Sequence, residues 1–478
     1  MTEVSAPMRT RFAPSPTGPL HFGSVRTALF GWLAARHSGG SFVLRIEDTD
    51  QERYIPGSEA LIVETLNWLG LEWDEGPEKD GPHDPYVQSL RIELYQEWAD
   101  QLVQRGAAYW CTCAPARLAA MREEQRRHSQ PTRYDRRCLG RQDEVAAERA
   151  QGQPAVLRLR MPDGTTEWDD VIRGRVVFDN KDIDDQVLLK SDGFPTYHLA
   201  VVVDDHVMDI THVIRSDEWI PSTPKHLAVY QALEWVPPYF AHVPAVLGPD
   251  GLKLSKRRGA RNVLDYGELG YVPAAIVNAM ALLGWSSGTE DEVFTLQELV
   301  ERFTLDRIHA APAVFDPRRL DDLNGVHIRR MDTEDLVHAL EFHLPGTSLE
   351  TRRRLVPMLR ERMVTLADAK HLAAPLLDGV APDQADFPPK GVEPLVARAM
   401  LDACIDAVAA GMLEHEDDLL ERLRETAKQH AAKVGAAFRV LYVAVLGEPS
   451  GVPVIQAMAF LGSDRALERL RAARARLG

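Results

Sequence analysis

Arg9-Thr10-Arg11-Phe12-Ala13-Pro14-Ser15-Pro16-Thr17-Gly18-Pro19-Leu20-His21-Phe22-Gly23-Ser24 reads as a strand, a turn and the start of a helix. Arg9 to Phe12 supplies the strand, prolines and Gly18 punctuate the turn, and Val25, Ala28, Leu29, Trp32 and Leu33 recur beyond it as one apolar helical stripe. After Gly39-Gly40 the run Phe42 to Ile46 predicts a second strand, and Ser58 to Leu69 a second helix. Strands alternating with helices pack as a parallel sheet, so an α/β domain of Rossmann type is expected. The turn between its first strand and helix offers free backbone N–H groups and a helix dipole, which favour phosphate.

From about Gln88 to Pro195 the scheme is interrupted by a long helix, a cysteine segment and strand-like runs at Val156 to Leu159 and Val187 to Leu189, which read as an insertion. The α/β pattern resumes at Tyr197 to Val203 and Val213-Ile214 and continues to the lysines near 253. From Pro273 onward helical periodicity dominates, with breaks expected at Gly325 and across the Pro-rich segment Ala381 to Pro394.

At 478 residues the chain exceeds the span of one core, and three or more domains are expected. The longest apolar stretch, Pro273 to Trp285, is interrupted by Asn278 and too short to cross a bilayer, and Met1 to Arg11 resembles no targeting segment; no membrane association and a cytoplasmic location are expected. Four cysteines in so long a chain make no disulfide framework. A net charge of −16 excludes a protein that coats nucleic acid throughout, yet arginines cluster at Arg122 to Arg141, Arg352 to Arg362 and Arg465 to Arg476, which suits an elongated anionic partner. Nothing in the sequence suggests an obligate interface, so a monomer is expected.

Gly23 leaves room for a purine against the backbone, and His21 is placed to hydrogen-bond the phosphate chain. A lone His-x-Gly would be an ordinary helix start. Far along the chain, however, Asp250-Gly251-Leu252-Lys253-Leu254-Ser255-Lys256-Arg257-Arg258-Gly259 sets four cations among glycines, a loop able to wrap departing pyrophosphate.

These two segments resemble the paired His-Ile-Gly-His and Lys-Met-Ser-Lys-Ser motifs of class I aminoacyl-tRNA synthetases. Their surroundings narrow the likeness to the bacterial-type glutamyl-tRNA synthetase family. Arg11 to Gly18, Arg45-Ile46-Glu47-Asp48-Thr49-Asp50, Asp192-Gly193-Phe194-Pro195-Thr196-Tyr197-His198, Asp204-Asp205-His206 and Val213-Ile214-Arg215 follow the family's order and spacing, and Ala459-Phe460-Leu461-Gly462 with the basic helix after Asp464 resembles its closing segment. The resemblance implies a catalytic domain in two halves, 1–87 and 197–260, split by an acceptor-end-binding domain at 88–196. A stem-contact helical domain at 261–330 and a helical anticodon-binding region at 331–478 would follow.

The family's activity, carried over, is ATP-dependent charging of tRNA(Glu) with L-glutamate through a glutamyl-adenylate, with transfer to the 2′-OH of the terminal adenosine. The resemblance assigns catalysis to His21, Lys253 and Lys256, and ATP binding to His21, Gly23, Ser24, Glu218, Leu254 and Lys256, with Mg2+ on the phosphates. Glutamate would meet Arg11, Ala13, Ser15, Glu47, Tyr197 and Arg215: arginines for its carboxylates, an acid for its ammonium, hydroxyls for the remainder. Some members carry an asparagine where this chain has Val201, which would remove one polar contact. Asp204-Asp205-His206 is expected to be a structural turn at a strand's end. Cys111, Cys113 and Cys138 resemble a zinc (Zn2+) site of some relatives, but Gly140 stands where those have histidine; Tyr134 or water would complete the tetrahedron, and three buried structural thiols are the alternative. Arg362 falls where the family uses an arginine to tell the anticodon of tRNA(Glu) from that of tRNA(Gln).

Overall fold

The computed structural model describes residues 6–79, 81–254, 261–380 and 387–477. They form two units, one of Met1–Asp265 with Ile276–Asp316 and one of Tyr266–Ala275 with Pro317–Gly478.

The first unit opens with β1 (Arg9–Phe12), α1 (Phe22–His37) and β2 (Ser41–Leu44), the strands parallel with Arg9 opposite Ser41 and Phe12 opposite Leu44. The turn into β2 depends on glycine twice. Gly39 has φ 68°, and a Cβ on Gly40 would lie 2.0 Å from the Met8 carbonyl oxygen, where the strands first meet. Helix α1 is buried on nearly every side rather than along one stripe, because strands cover one face while Phe315 packs on Phe22 and Phe303 on Phe30, with ring centroids 4.9 and 5.4 Å apart. A helix covered on both sides loses its amphipathic period. Helix α2 (Ser58–Trp68) follows.

The interruption contains α3 (Ile92–Gln104), β3 (Ala108–Cys111), α4 (Pro115–Arg127), α5 (Gln142–Ala150), β4 (Val156–Leu159), β5 (Thr165–Asp170), β6 (Gly174–Asp179) and β7 (Val187–Leu189). Strands β3, β4 and β7 form an antiparallel sheet, and β5 and β6 a hairpin. Parallel pairing then resumes. After α6 (Tyr197–Val207), β8 (His212–Ser216) pairs in parallel with β9 (Tyr239–Val243) across α7 (Thr223–Leu233). The Thr211 N–H donates to the Arg9 carbonyl at 2.9 Å, bringing this pair alongside β1. Next come β10 (Val246–Leu247), α8 (Val263–Glu268), α9 (Pro273–Leu282), α10 (Leu296–Arg302) and β11 (Ala313–Val314), which pairs in parallel with β10.

Asp204-Asp205-His206 is not a turn. The three residues lie in the last turns of α6, with both carboxylates buried. Buried arginines neutralise them, so a helix can carry into the interior a pair of acids that local sequence assigns to a surface loop.

In the second unit the described elements are helical: α11 (Pro317–Arg330), α12 (Thr333–Ala339), α13 (Leu349–Leu359), α14 (Asp368–Leu377), α15 (Pro394–Ala409), α16 (Glu416–Gln429), α17 (Val434–Leu446), α18 (Val454–Leu461) and α19 (Ser463–Ala475). Their shared core includes Leu401, Cys404, Leu441, Met458 and Leu470. Helix α11 runs through Gly325 without the expected break. A Cβ there would sit 3.6 Å from the Met363 carbonyl, an ordinary contact, and 3.2 Å from the Arg329 guanidinium, the movable end of a long side chain, and the surrounding helical residues carry the helix through the glycine. The expected break at 381–394 falls partly outside the described residues, and α15 begins at Pro394. Among the described residues, no helix is long and apolar enough to cross a membrane.

Candidate active site

A cleft of about 1090 Å³ opens over the ends of β1 and β8. It is lined by Arg11, Ala13, Ser15, His21, Gly23, Ser24, Glu47, Tyr197, Arg215, Glu218, Lys253 and Leu254, all the residues expected to bind ATP or glutamate or to act in catalysis that the structure describes. Lys256 lies outside the described residues.

At one end, His21 caps α1. Its Nδ1 accepts the Ser24 N–H at 3.2 Å, so in the neutral ring the proton sits on Nε2. Among the described residues, a Cβ on Gly23 would meet only the His21 ring, 3.6 Å away. Lys253 is ion-paired with Glu218, each about half exposed, so an incoming triphosphate would compete with that carboxylate for the ammonium. The Leu254 N–H is tied to the Val246 carbonyl at 2.9 Å, which fixes the root of the lysine loop.

The other end is charged and buried. Arg45, fully buried, reaches Glu47 at 3.0 Å, Asp205 at 2.9 Å and Asp204 at 3.6 Å. Arg11 grips Asp205 through Nε and Nη2 at 3.0 and 3.3 Å, and Arg91 meets Asp204 at 2.9 Å. Gln88 and the Tyr95 hydroxyl, at 2.9 and 2.8 Å, donate to the second oxygen of Asp204. Burial pushes the Glu47 carboxyl up to about 6, although Arg45 and Arg11 pull it down. The motifs containing Arg45, Asp204 and Asp205 were legible, but their roles behind the site were not, because the pairing is long-range.

Arg215 differs from its neighbours. It is buried, and its hydrogen-bond acceptors are neutral: Tyr197 Oη at 3.1 Å, His242 Nε2 at 3.1 Å, His226 Nδ1 at 3.3 Å, Thr223 Oγ1 at 2.9 Å and the Trp219 carbonyl at 3.5 Å. Among the described residues it has no ion-pair partner, and burial lowers its pKa. His226, His242, Thr223 and Trp219 carried no recognisable sequence signal. Val201 is 1% exposed in the core beside Leu199 and Val202 and does not line the cleft.

The cysteines gather in the inserted segment. Cys111, Cys113 and Cys138 place their sulfurs within 4.8 Å of one another, and the Tyr134 hydroxyl lies 3.3 Å from the sulfurs of both Cys111 and Cys113. All four cysteines, Cys404 included, are free thiols. In the second unit Arg362 is exposed just past α13, and its side chain makes no hydrogen bond or ion pair among the described residues. Nearby cations are committed: Arg352 to Glu341 and the Thr347 carbonyl, Arg353 to Glu334, Arg360 to Thr333.

Residues 7–322 match the family described as tRNA synthetases class I (E and Q), catalytic domain, and residues 333–474 an anticodon binding domain. A glutamate–tRNA ligase of Dehalococcoides mccartyi is 43% identical, with 98% of each chain covered. One from Roseiflexus castenholzii is 44% identical over 99% of this chain and 97% of that one. The chain belongs to the bacterial glutamate–tRNA ligase family. The crystal structure of a glutamate tRNA ligase from Elizabethkingia meningosepticum in complex with its amino acid superposes with a TM-score of 0.89 at 33% identity, covering 99% of this chain and 100% of that one. The fold is thus that of a class I synthetase.

An ammonium group held by Glu47 requires the ionised carboxylate, and a carboxyl raised to about 6 loses that charge as pH falls through this value. In steady-state charging, KM for glutamate is expected to be flat above about pH 7 and to rise toward tenfold per pH unit below about 6. A KM unchanged down to pH 5 would remove Glu47 from that role.

Proposed function

We propose that this chain joins L-glutamate to ATP as glutamyl-adenylate and passes the glutamyl group to the 2′-OH of the terminal adenosine of tRNA(Glu), releasing AMP. The observation that carries the reading is Arg215, a buried cation at the floor of the cleft that has no carboxylate partner among the described residues. A buried charge needs a counter-ion, and the side-chain carboxylate of glutamate supplies one, with Tyr197 beside it. Glu47 takes the ammonium, Ser15 and the Ala13 backbone border the amino-acid end, and Arg11, held by Asp205, offers the second guanidinium.

With the amino acid so held, an oxygen of its α-carboxylate attacks the α-phosphorus in line, and the bond to pyrophosphate breaks. The Nε2–H of His21 and the N-terminus of α1 at Gly23 and Ser24 stabilise charge on the α-phosphoryl oxygens. Lys253, released from Glu218, and Lys256 neutralise the leaving group, while Leu254 and Glu218 border the nucleoside. Mg2+ entering with the nucleotide would supply further charge dispersal at this end. In the second step the ribose hydroxyl attacks the activated carbonyl and AMP departs. Every step needs positioning and electrostatics, and none needs a protein nucleophile.

Residues 88–196 are assigned to the acceptor end of the tRNA, with 197–260 completing the catalytic domain begun by 1–87. Residues 261–330 are assigned to its stem and 331–478 to the anticodon, where Arg362 reads the third base. The three thiols suit zinc: the 3.6 Å between the Cys113 and Cys138 sulfurs is close to the separation that tetrahedral Zn–S bonds of about 2.3 Å impose, and Tyr134 stands at the fourth corner. The enzyme is taken to act as a monomer in the cytoplasm.

Arg215→Ala is expected to raise KM for glutamate in tRNA(Glu) charging by about a hundredfold or more, with KM for ATP little changed. Unchanged glutamate kinetics would refute the assignment. Arg362→Gln should increase charging of tRNA(Gln) relative to tRNA(Glu); an unaltered ratio would leave acceptor choice to other residues. Elemental analysis of the purified chain should find about one zinc per molecule, lost in Cys113→Ser. Metal-free protein with an intact fold would mean structural thiols instead.

A further inference from the structure

An arginine can only donate hydrogen bonds, so every partner nitrogen that Arg215 meets must present a lone pair. Its Nε points at His242 Nε2, which fixes the His242 proton on Nδ1, and Nδ1 is hydrogen-bonded to Asp170 Oδ2. The other oxygen of Asp170 is already committed. Oδ1 accepts the backbone N–H groups of Ile172 and Arg173, both at 3.1 Å, and of His242 at 3.2 Å. Asp170 therefore cannot rotate, and its free face must accept from the imidazole. The same logic runs along the second edge of Arg215, where Nη1 meets His226 Nδ1; His226 then donates from Nε2 to His198 Nδ1 at 3.2 Å. Asp170, His242 and His226 are all buried, so none of these protons is exchanged for water bonds.

We propose that Asp170 and His242 are positioning residues for glutamate recognition: Asp170 selects the His242 tautomer whose Nε2 lone pair holds the Arg215 guanidinium in the plane the substrate carboxylate needs. The inference rests on the reading of Arg215 as the carboxylate-binding residue. Asp170 ends β5, inside the segment assigned to the acceptor end, while His242 and Arg215 lie on the paired strands β9 and β8. A hairpin of the insertion thus sets the chemistry of the amino-acid floor.

The isosteric change Asp170→Asn tests this directly. Three backbone N–H groups keep the amide oxygen at the Oδ1 position, so its NH2 must face His242 Nδ1. That forces the proton onto Nε2, where it opposes the Arg215 Nε–H. His242→Phe removes the lone pair altogether, and His242→Gln restores an acceptor near the Nε2 position that no longer depends on residue 170. In charging assays with full-length protein and tRNA(Glu), Asp170→Asn and His242→Phe should each raise KM for glutamate about tenfold or more, with KM for ATP within about twofold. His242→Gln should recover most of that loss, and adding Asp170→Asn to it should change KM by less than about twofold. Additive effects in the double variant, or losses confined to kcat or melting temperature, would overturn the relay. If Asp170→Asn does not fold, the contrast between His242→Phe and His242→Gln decides: equal KM values for the two overturn it. Arg215→Ala separates the layers. Should it leave KM for glutamate unchanged, the carboxylate reading itself fails; should it raise KM while the Asp170 and His242 variants do not, only the relay fails.

Discussion

The catalytic unit depends on one buried ion network. Arg11 comes from β1, Arg45 from the segment after β2, Arg91 from the start of α3, and Asp204 and Asp205 from the end of α6, with Glu47 at the cleft edge. Three guanidiniums face three carboxylates, so the charges cancel. Removing any one would strand a partner in the interior at a cost of about 3–5 kcal/mol. The network joins strand β1 to helix α6 across a long stretch of chain, Arg11 and Asp205 being separated by 194 positions. It therefore ties the segments before the insertion to the helix that follows it.

That network is neutral in itself, and at the amino-acid floor the groups in direct contact with Arg215 are neutral too, the carboxylate of Asp170 standing behind His242. Glutamate brings a side-chain carboxylate that can pair with Arg215 directly. Glutamine is neutral, and its amide would offer Arg215 one dipole while presenting N–H donors to a donor. Selectivity here follows from charge closure in a site shielded from water, where the cost of an unpaired ion is largest. The neutral acceptors around Arg215 preserve this property, since a carboxylate in the place of His242 or Thr223 would satisfy the cation in advance.

Much of this was legible in the residues. The strand Arg9 to Phe12 and the strands at Val156 to Leu159 and Val187 to Leu189 needed only local patterns, while the cleft-lining residues of the two motifs were legible through their joint resemblance to the family. What local patterns missed was long-range. The acids at 204 and 205 read as a turn because nothing nearby in sequence neutralises them, and Gly325 read as a helix break because the packing that holds α11 together around it is not local. Helix α1 read as amphipathic because its second cover comes from Phe303 and Phe315, far along the chain. His242 and Asp170 gave no signal, since a histidine tautomer is set only by what folds around it.

The central claim is that the cleft is closed by the charge of its amino acid. ATP–pyrophosphate exchange in the presence of tRNA(Glu), run with glutamate and with glutamine, measures that most directly. A kcat/KM favouring glutamate by about a thousandfold or more is predicted. Glutamine supporting exchange to within about tenfold of glutamate would contradict the account, because an unbalanced Arg215 would then cost the protein almost nothing.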